Sequence, residues 1–225
     1  MALKALEATK DSGNPHVKII NALYAAFDHF NVHFYGEDDK LTSPVINLGP
    51  AGRRNALGWF RNDGWIGNDG ETIHEINISP EYLTRDPDEI LETLLHEMAH
   101  MRNRCNDITD CNASQYHNAN FKDAAEMLGL EVEKKGYRGW AWTCLGSKAK
   151  EAIEKLPFDK DVFKIARPHH KKIGGPKYIT IALKSEDWLD ILEDMQTVLG
   201  KETKSGVVKE LLMNAYNEDD ATGDA

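Results

Sequence analysis

Residues His96, Glu97 and His100 stand in the order His-Glu-x-x-His within LLHEMAHMRN. Two imidazoles four positions apart on a helix are neighbours and can converge on one cation. A carboxylate beside them can take a proton from a water molecule held by that cation, which is the chemistry of metal-assisted hydrolysis. The chain has 9 histidines in 225 residues, and such a composition yields the pattern in roughly three shuffled chains in a hundred. The surroundings of the motif must therefore carry the argument.

Those surroundings are helical. Ile90, Leu91, Leu94, Leu95, Met98 and Met101 recur at helical spacing and predict a helix over about 87–104. Counted from Ile90, the apolar stripe centres near roughly 70°, whereas His96 and His100 sit near roughly 240° and 280°. The histidines thus share a face that is not the core-facing one, and Glu97 lies about 100° round from His96. Catalytic zinc takes three protein ligands and keeps one open position, so a third ligand is required. A metzincin continuation is excluded, because it needs Gly and His where this chain has Asn103 and Asn106. The downstream candidates are Asp107, Asp110, His117 and Glu126. His117 is the first choice because it sits where polar residues give way to the apolar periodicity of Phe121, Ala124, Ala125 and Leu128, at the start of a second helix. Glu126 is next, as the acidic ligand of thermolysin-like sites. Cys105 and Cys111 match no common zinc-ligand spacing.

Three ordered pieces, INISPEYLTRDPDEILETLLHEMAHMRN, YHNANFKDAAEMLGLEV and GYRGWAWTCL, resemble the SprT-like zinc metalloproteases, over residues 15 to about 157. The resemblance implies Zn2+ held by His96, His100 and His117, with Glu97 as general base. It also implies an endopeptidase that cuts proteins near or crosslinked to DNA, with a role in DNA repair.

The elements that must position these residues read as an α+β domain, a small antiparallel sheet packed with helices. VKIINALYAAFDHF, opened by Asn14 and Pro15, predicts a first helix with Ile20, Leu23, Tyr24 and Phe27 on its stripe. PVINLG, ALGWFR and HEINIS read as short strands, and RNDG between Trp59 and Trp65 reads as a turn. Trp140 and Trp142 alternate as strand residues do, which places both on one face of an edge strand packing on the core. His74, beside a strand, reads as structural.

Expected boundaries are a metalloprotease domain over 1–158, a basic Pro/Gly linker over 159–176, a small module over 177–217 and an acidic tail over 218–225. Between Lys160 and Lys177, six basic residues face the single acid Asp161, so Lys171, Lys172 and Lys177 are candidate phosphate contacts. Alternating Ile179, Ile181 and Leu183, then two helical stripes, resemble a ribbon-helix-helix domain. The resemblance implies a homodimer through 177–217, with Tyr178, Thr180 and Ala182 facing outward toward DNA. The module holds five Lys against seven acids, which equally fits dimerisation or partner binding without DNA. No apolar run reaches 18 residues, so no membrane association is expected. Three cysteines without paired spacing fit a reducing compartment, and the expected location is cytoplasmic or nucleoid-associated. A net charge of -10 confines any DNA contact to local patches. Two function classes follow: a zinc endopeptidase acting on DNA-associated protein substrates, and a regulator of a phage or mobile element. In the regulator, the zinc domain cleaves one specific repressor or is mainly structural.

Overall fold

A computed structural model describes residues 13–51, 55–168 and 187–221. The chain divides into two compact units, Met1–His170 and Lys171–Ala225. The first is mixed α and β, with two small sheets.

Helix α1 (Pro15–Tyr35) begins where Asn14 accepts the His16 N–H at 2.9 Å, and ends where the Gly36 N–H returns to the Val32 carbonyl. Its buried side chains are Ile19, Leu23, Ala26, Phe27 and Phe30. The core-facing stripe is therefore rotated slightly from the one predicted, with Ile20 and Tyr24 at its margin. Tyr24 uses that margin: its hydroxyl accepts the Ile46 N–H and ties the helix to the sheet.

Strands β1 (Val45–Asn47), β2 (Gly58–Ile66) and β3 (Thr72–Ile78) form one sheet in the order β1-β3-β2. β1 runs parallel to β3 and β2 antiparallel, so the sheet is mixed and not purely antiparallel. The predicted turn at RNDG is a register shift inside β2, between Arg61 and Trp65, with Asp63 at φ 49. Asn, Asp and Gly supply the left-handed conformation a bulge needs as readily as the one a turn needs. Trp59 and Trp65 accordingly sit on one continuous strand, with Trp65 at the rim. The strand's Asn-x-Ser ending clamps the sheet's loops. Asn77 is fully buried and bonds both the N–H and the carbonyl of Gly49, while Ser79 bonds the Ala56 carbonyl.

Helix α2 (Pro87–Cys105) carries the motif. Asp86 caps it through the Asp88 N–H, Pro87 occupies its first turn, acids follow at its start and Arg102 and Arg104 close it, as the helix dipole favours. Ile90, Leu91, Leu94, Leu95, Met98 and Met101 are fully buried in the core. The opposite face is covered in turn by α3 (Ala119–Met127) and by a hairpin of β4 (Leu130–Glu133) and β5 (Trp142–Leu145). Trp140 lies ahead of β5, half-buried on the core, and Trp142 is exposed. The pair is thus not two residues of one strand. The cause is a 3₁₀ turn at Gly136–Arg138 and Gly139 at φ 64, which delay the strand.

Helix α4 (Ser147–Glu154) and a 3₁₀ turn (Lys160–Phe163) complete the unit. Phe163 is in the core, and the Arg167 N–H reaches the Pro80 carbonyl. The first part of the segment read as a linker is therefore packed structure, because its aromatic residue has a core to fill.

In the second unit, α5 (Asp187–Leu199) and α6 (Lys204–Ala221) form a helical hairpin. Gly200 at φ 59 ends the first helix, and Thr203 accepts the Gly206 N–H at the start of the second. The predicted strand with Tyr178, Thr180 and Ala182, and the candidate contacts Lys171, Lys172 and Lys177, lie outside the described residues.

Candidate metal centre

His96 and His100 project from α2, one helical turn apart. His117 arrives from the loop before α3, and the ligand-type atoms of the three all lie within 4.8 Å of one another. The loop is built to deliver it. The His117 N–H donates to the Arg138 carbonyl and its own carbonyl accepts from Trp140, both at 3.0 Å, so the residue is stitched between Cys111 and Gly139. Asn118 then caps α3 by accepting from Asn120 and Phe121. The Phe121 ring, fully buried, lies 4.5 to 4.6 Å from all three imidazoles and floors the site.

The outer partners fix which ring nitrogen carries hydrogen. His117 Nδ1 faces the Gln115 carbonyl at 3.1 Å. A carbonyl only accepts, so Nδ1 carries the proton. His100 Nδ1 faces Asp110 Oδ2 at 2.9 Å. Burial pushes the Asp110 carboxyl up, but bonds from His100 and Asn103 outweigh it and hold the group below the usual carboxylate range. Asp110 therefore accepts, and His100 donates. His96 Nδ1 lies 3.4 Å from Thr143 Oγ1, whose only hydrogen goes to Glu92 at 2.9 Å. That geometry makes the hydroxyl oxygen the acceptor for His96. All three Nε2 atoms are left as bare lone pairs, and those of His100 and His117 face each other at 3.1 Å. Two lone pairs at that distance repel unless a cation lies between them.

Burial also keeps His96 and His117 neutral. It drives His96 well below its ordinary pKa, with the neighbouring His100 and His117 adding to the effect, and it drives His117 down to about 4. Neutral imidazole is the ligand form.

Glu97 is buried. Burial raises its carboxyl to about 7, against the opposing influence of His100 and a hydrogen bond from the Phe60 N–H. β2 lies flush against it. A Cβ on Gly58 would come within 2.8 Å of both the Asn77 carbonyl and Thr93, and 3.3 Å from Glu97.

The remaining candidates fall elsewhere. Glu126 is on α3, exposed and paired with Lys122 at 3.4 Å, because five residues of helix turn it about 140° away from Phe121. Asp107 is exposed, and none of the three cysteines joins the cluster among the described residues. His74 packs edge-on to Phe60 and beside Asp63. Asp110 is an outer partner of a ligand-type histidine. Asn103, which displaces the metzincin glycine, holds Asp110 at 3.0 Å and the Asn120 carbonyl at 3.1 Å. Thr143, Glu92, Asn103 and Phe121 were missed as site residues. Glu92, Asn103 and Phe121 stand three or four positions from His96, His100 and His117, whereas Thr143 reaches the site from 47 and 51 positions away and carries no local spacing signal.

A helix that presents two imidazoles and a buried carboxylate, with a third imidazole from a following loop, is an arrangement that could hold a metal ion. The chain belongs to the SprT-like family, whose model matches residues 23–137, the stretch from α1 to the turn after β4. Members of that family are generally zinc metallopeptidases. Searches of curated proteins and of solved structures each found no match. No helix among the described residues is long and apolar enough to cross a membrane.

Proposed function

We propose that the protein is a zinc-dependent endopeptidase, in which His96, His100 and His117 hold the metal and Glu97 is the general base. The observation that carries this reading is the pair of opposed Nε2 lone pairs 3.1 Å apart. Nitrogen ligands of a tetrahedral zinc ion stand about 3.3 Å apart for Zn–N bonds of about 2.0–2.1 Å. A zinc ion held there would supply Lewis-acid chemistry, polarising a peptide carbonyl and lowering the pKa of a bound water. Glu97 would take a proton from the attacking water at its carboxylate and pass it to the departing amine nitrogen. Its raised pKa suits both transfers. The Phe60 N–H holds the carboxylate, while the Nδ1 partners stop the rings from turning.

Its substrates, on this reading, are proteins bound or crosslinked to DNA, an assignment supported by family membership. A second reading rests on the helical hairpin, where Trp188, Val198, Leu212 and Met213 are exposed. A homodimer through 177–217 would cover such residues, and the module would then direct a regulatory protease to one repressor.

The test incubates zinc-loaded protein with a basic DNA-binding protein, with and without single-stranded DNA, beside Glu97→Gln. The wild type is expected to cut, faster with DNA. Glu97→Gln is expected to keep its zinc and lose about 10²- to 10⁴-fold in rate. Undiminished cutting by the variant removes Glu97 from its role. No cutting by a fully zinc-loaded wild type moves the assignment to the regulatory reading.

A further inference from the structure

The three histidines of the centre differ in what faces their Nδ1 atoms. His117 has a carbonyl and His100 a carboxylate, groups that accept and so hold hydrogen on the ring nitrogen. His96 has the Thr143 hydroxyl at 3.4 Å. A hydroxyl either donates or accepts, so it does not by itself decide which nitrogen of His96 carries hydrogen. The decision falls one bond further out, at Glu92, whose Oε1 accepts from the Thr143 hydroxyl at 2.9 Å.

Two elements bring these groups into line. Glu92 precedes His96 by four positions on α2, so the two side chains rise one turn apart on the same face. On β5, strand alternation leaves Trp142 and Cys144 exposed, packs Leu145 on the core and turns Thr143 inward with it, where it bonds both α2 side chains. Arg85, held by the Tyr82 carbonyl and the Thr93 hydroxyl, each at 3.1 Å, keeps a positive charge near Glu92. A hydrogen bond to a carboxylate is roughly twice as strong as one between neutral groups. The Thr143 hydrogen therefore goes to Glu92 in preference to the imidazole.

We propose that Glu92 is a positioning residue for the metal centre: acting through Thr143, it keeps the hydrogen of His96 on Nδ1 and leaves Nε2 free as a ligand atom. Its bearing on zinc rests on the reading of His96, His100 and His117 as ligands; the tautomer itself does not. Glu92→Gln puts an amide in the same space. The amide N–H donates to the Thr143 oxygen, the hydroxyl turns to donate to Nδ1, and the hydrogen of His96 moves to Nε2, where it blocks coordination.

The experiment has two readouts on the full-length chain. Long-range proton–nitrogen NMR of the metal-free protein at about pH 8, where free carboxyls are ionised, reads which nitrogen of each ring carries hydrogen. The wild type is expected to show Nδ1–H on all three. Glu92→Gln is expected to shift His96 alone toward Nε2–H, with the unchanged His100 and His117 signals reporting an intact fold. Chelator competition then measures zinc. Glu92→Gln and Thr143→Val are each expected to lower the affinity about tenfold or more, and Thr143→Ser, with the same hydroxyl, to stay within about twofold. Because Glu92 acts through the hydroxyl, the double variant Glu92→Gln with Thr143→Val loses no more than Thr143→Val alone. Three results overturn the proposal: Nε2–H on His96 in the wild type, a wild-type spectrum and affinity in Glu92→Gln, or additive losses in the double variant. If a variant fails to fold, the wild-type spectrum and Thr143→Ser still decide. A wild type with the expected tautomer that holds no zinc supports the tautomer assignment and overturns the ligand reading. One that binds zinc but carries Nε2–H on His96 when metal-free overturns the role of Glu92 alone.

Discussion

Helix α2 and the hairpin of α5 and α6 arise from the same kind of sequence pattern, apolar residues at helical spacing with charges between them. Their fates differ. α2 is covered on its apolar stripe by the core and on its histidine face by α3 and β5, so even its ionisable Glu97 is buried. The hairpin buries Leu192 and Val207, while Ile191, Val198, Leu212 and Met213 remain in solvent. Periodicity announces that a helix has an apolar face. Whether a second layer of chain exists to cover it, and to cover the other face too, is decided far away in sequence. Only a doubly covered helix can hold His96, Glu97 and His100 in fixed positions against His117.

The largest test of that contrast removes the candidate ligand contributed by the covering layer. His117→Ala is expected to lower zinc affinity by more than about 100-fold, beyond the loss caused by removing an outer partner, and chelator competition measures it. Retention of one tightly held equivalent would move the third ligand off the α3 loop and break the picture of a site completed by its second layer.

Next in size is the electrostatic cost of burying Glu97. Its carboxyl is raised from 4.5 to about 7. The folded chain therefore binds a proton that the unfolded chain releases, so this group's contribution is fully present below pH 4.5 and is lost as pH rises through 7. In chelator-treated protein, Glu97→Gln is expected to be more stable than wild type at pH 8 by up to about 3 kcal/mol, with the difference gone near pH 4.5. His117, lowered to about 4, has the opposite sign. Its contribution is lost as pH falls below its unfolded value of 6.5. Denaturant titrations at both pH values check the sign, and a stabilisation that grows toward acid would contradict it.

How much of this was legible in the sequence follows the same division. The motif, its helix, the caps at Asn14 and Asp86 and the candidacy of His117 are local, carried by spacing and by residue types that act within one turn. The strands were placed but β2 was cut short, because Asn-Asp-Gly signals left-handed backbone without saying whether the chain reverses or bulges. Trp140 and Trp142 alternate correctly for a strand that begins only at Trp142, and the glycine that delays it is visible only through its clash with His117. The outer partners were the least legible. Thr143 lies 47 positions from His96, and nothing in either segment announces the other.

Asp110 tests that hidden shell. Asp110→Ala removes the acceptor that fixes the His100 tautomer and frees the Asn103 amide. Zinc affinity is expected to fall about 10- to 100-fold, a smaller loss than for His117→Ala, with Asp110→Asn recovering part of it through its carbonyl oxygen. Equal losses for Asp110→Ala and His117→Ala would mean that Asp110 contacts the metal directly.

The smallest expected effect is the sharpest statement of the contrast. The core of the first unit is assembled from residues between Ile19 and Phe163, with Ala166 packed against it. Deleting 171–225 should therefore leave zinc content unchanged and shift the unit's unfolding free energy by no more than the roughly 0.5 kcal/mol typical of surface changes. Light scattering on the same pair of proteins addresses the hairpin. If a second copy covers its exposed residues, the deletion converts a dimer to a monomer with the metal centre intact. A lower zinc affinity after deletion would show that the hairpin, uncovered as its helices are, supplies part of the layer that α2 needs.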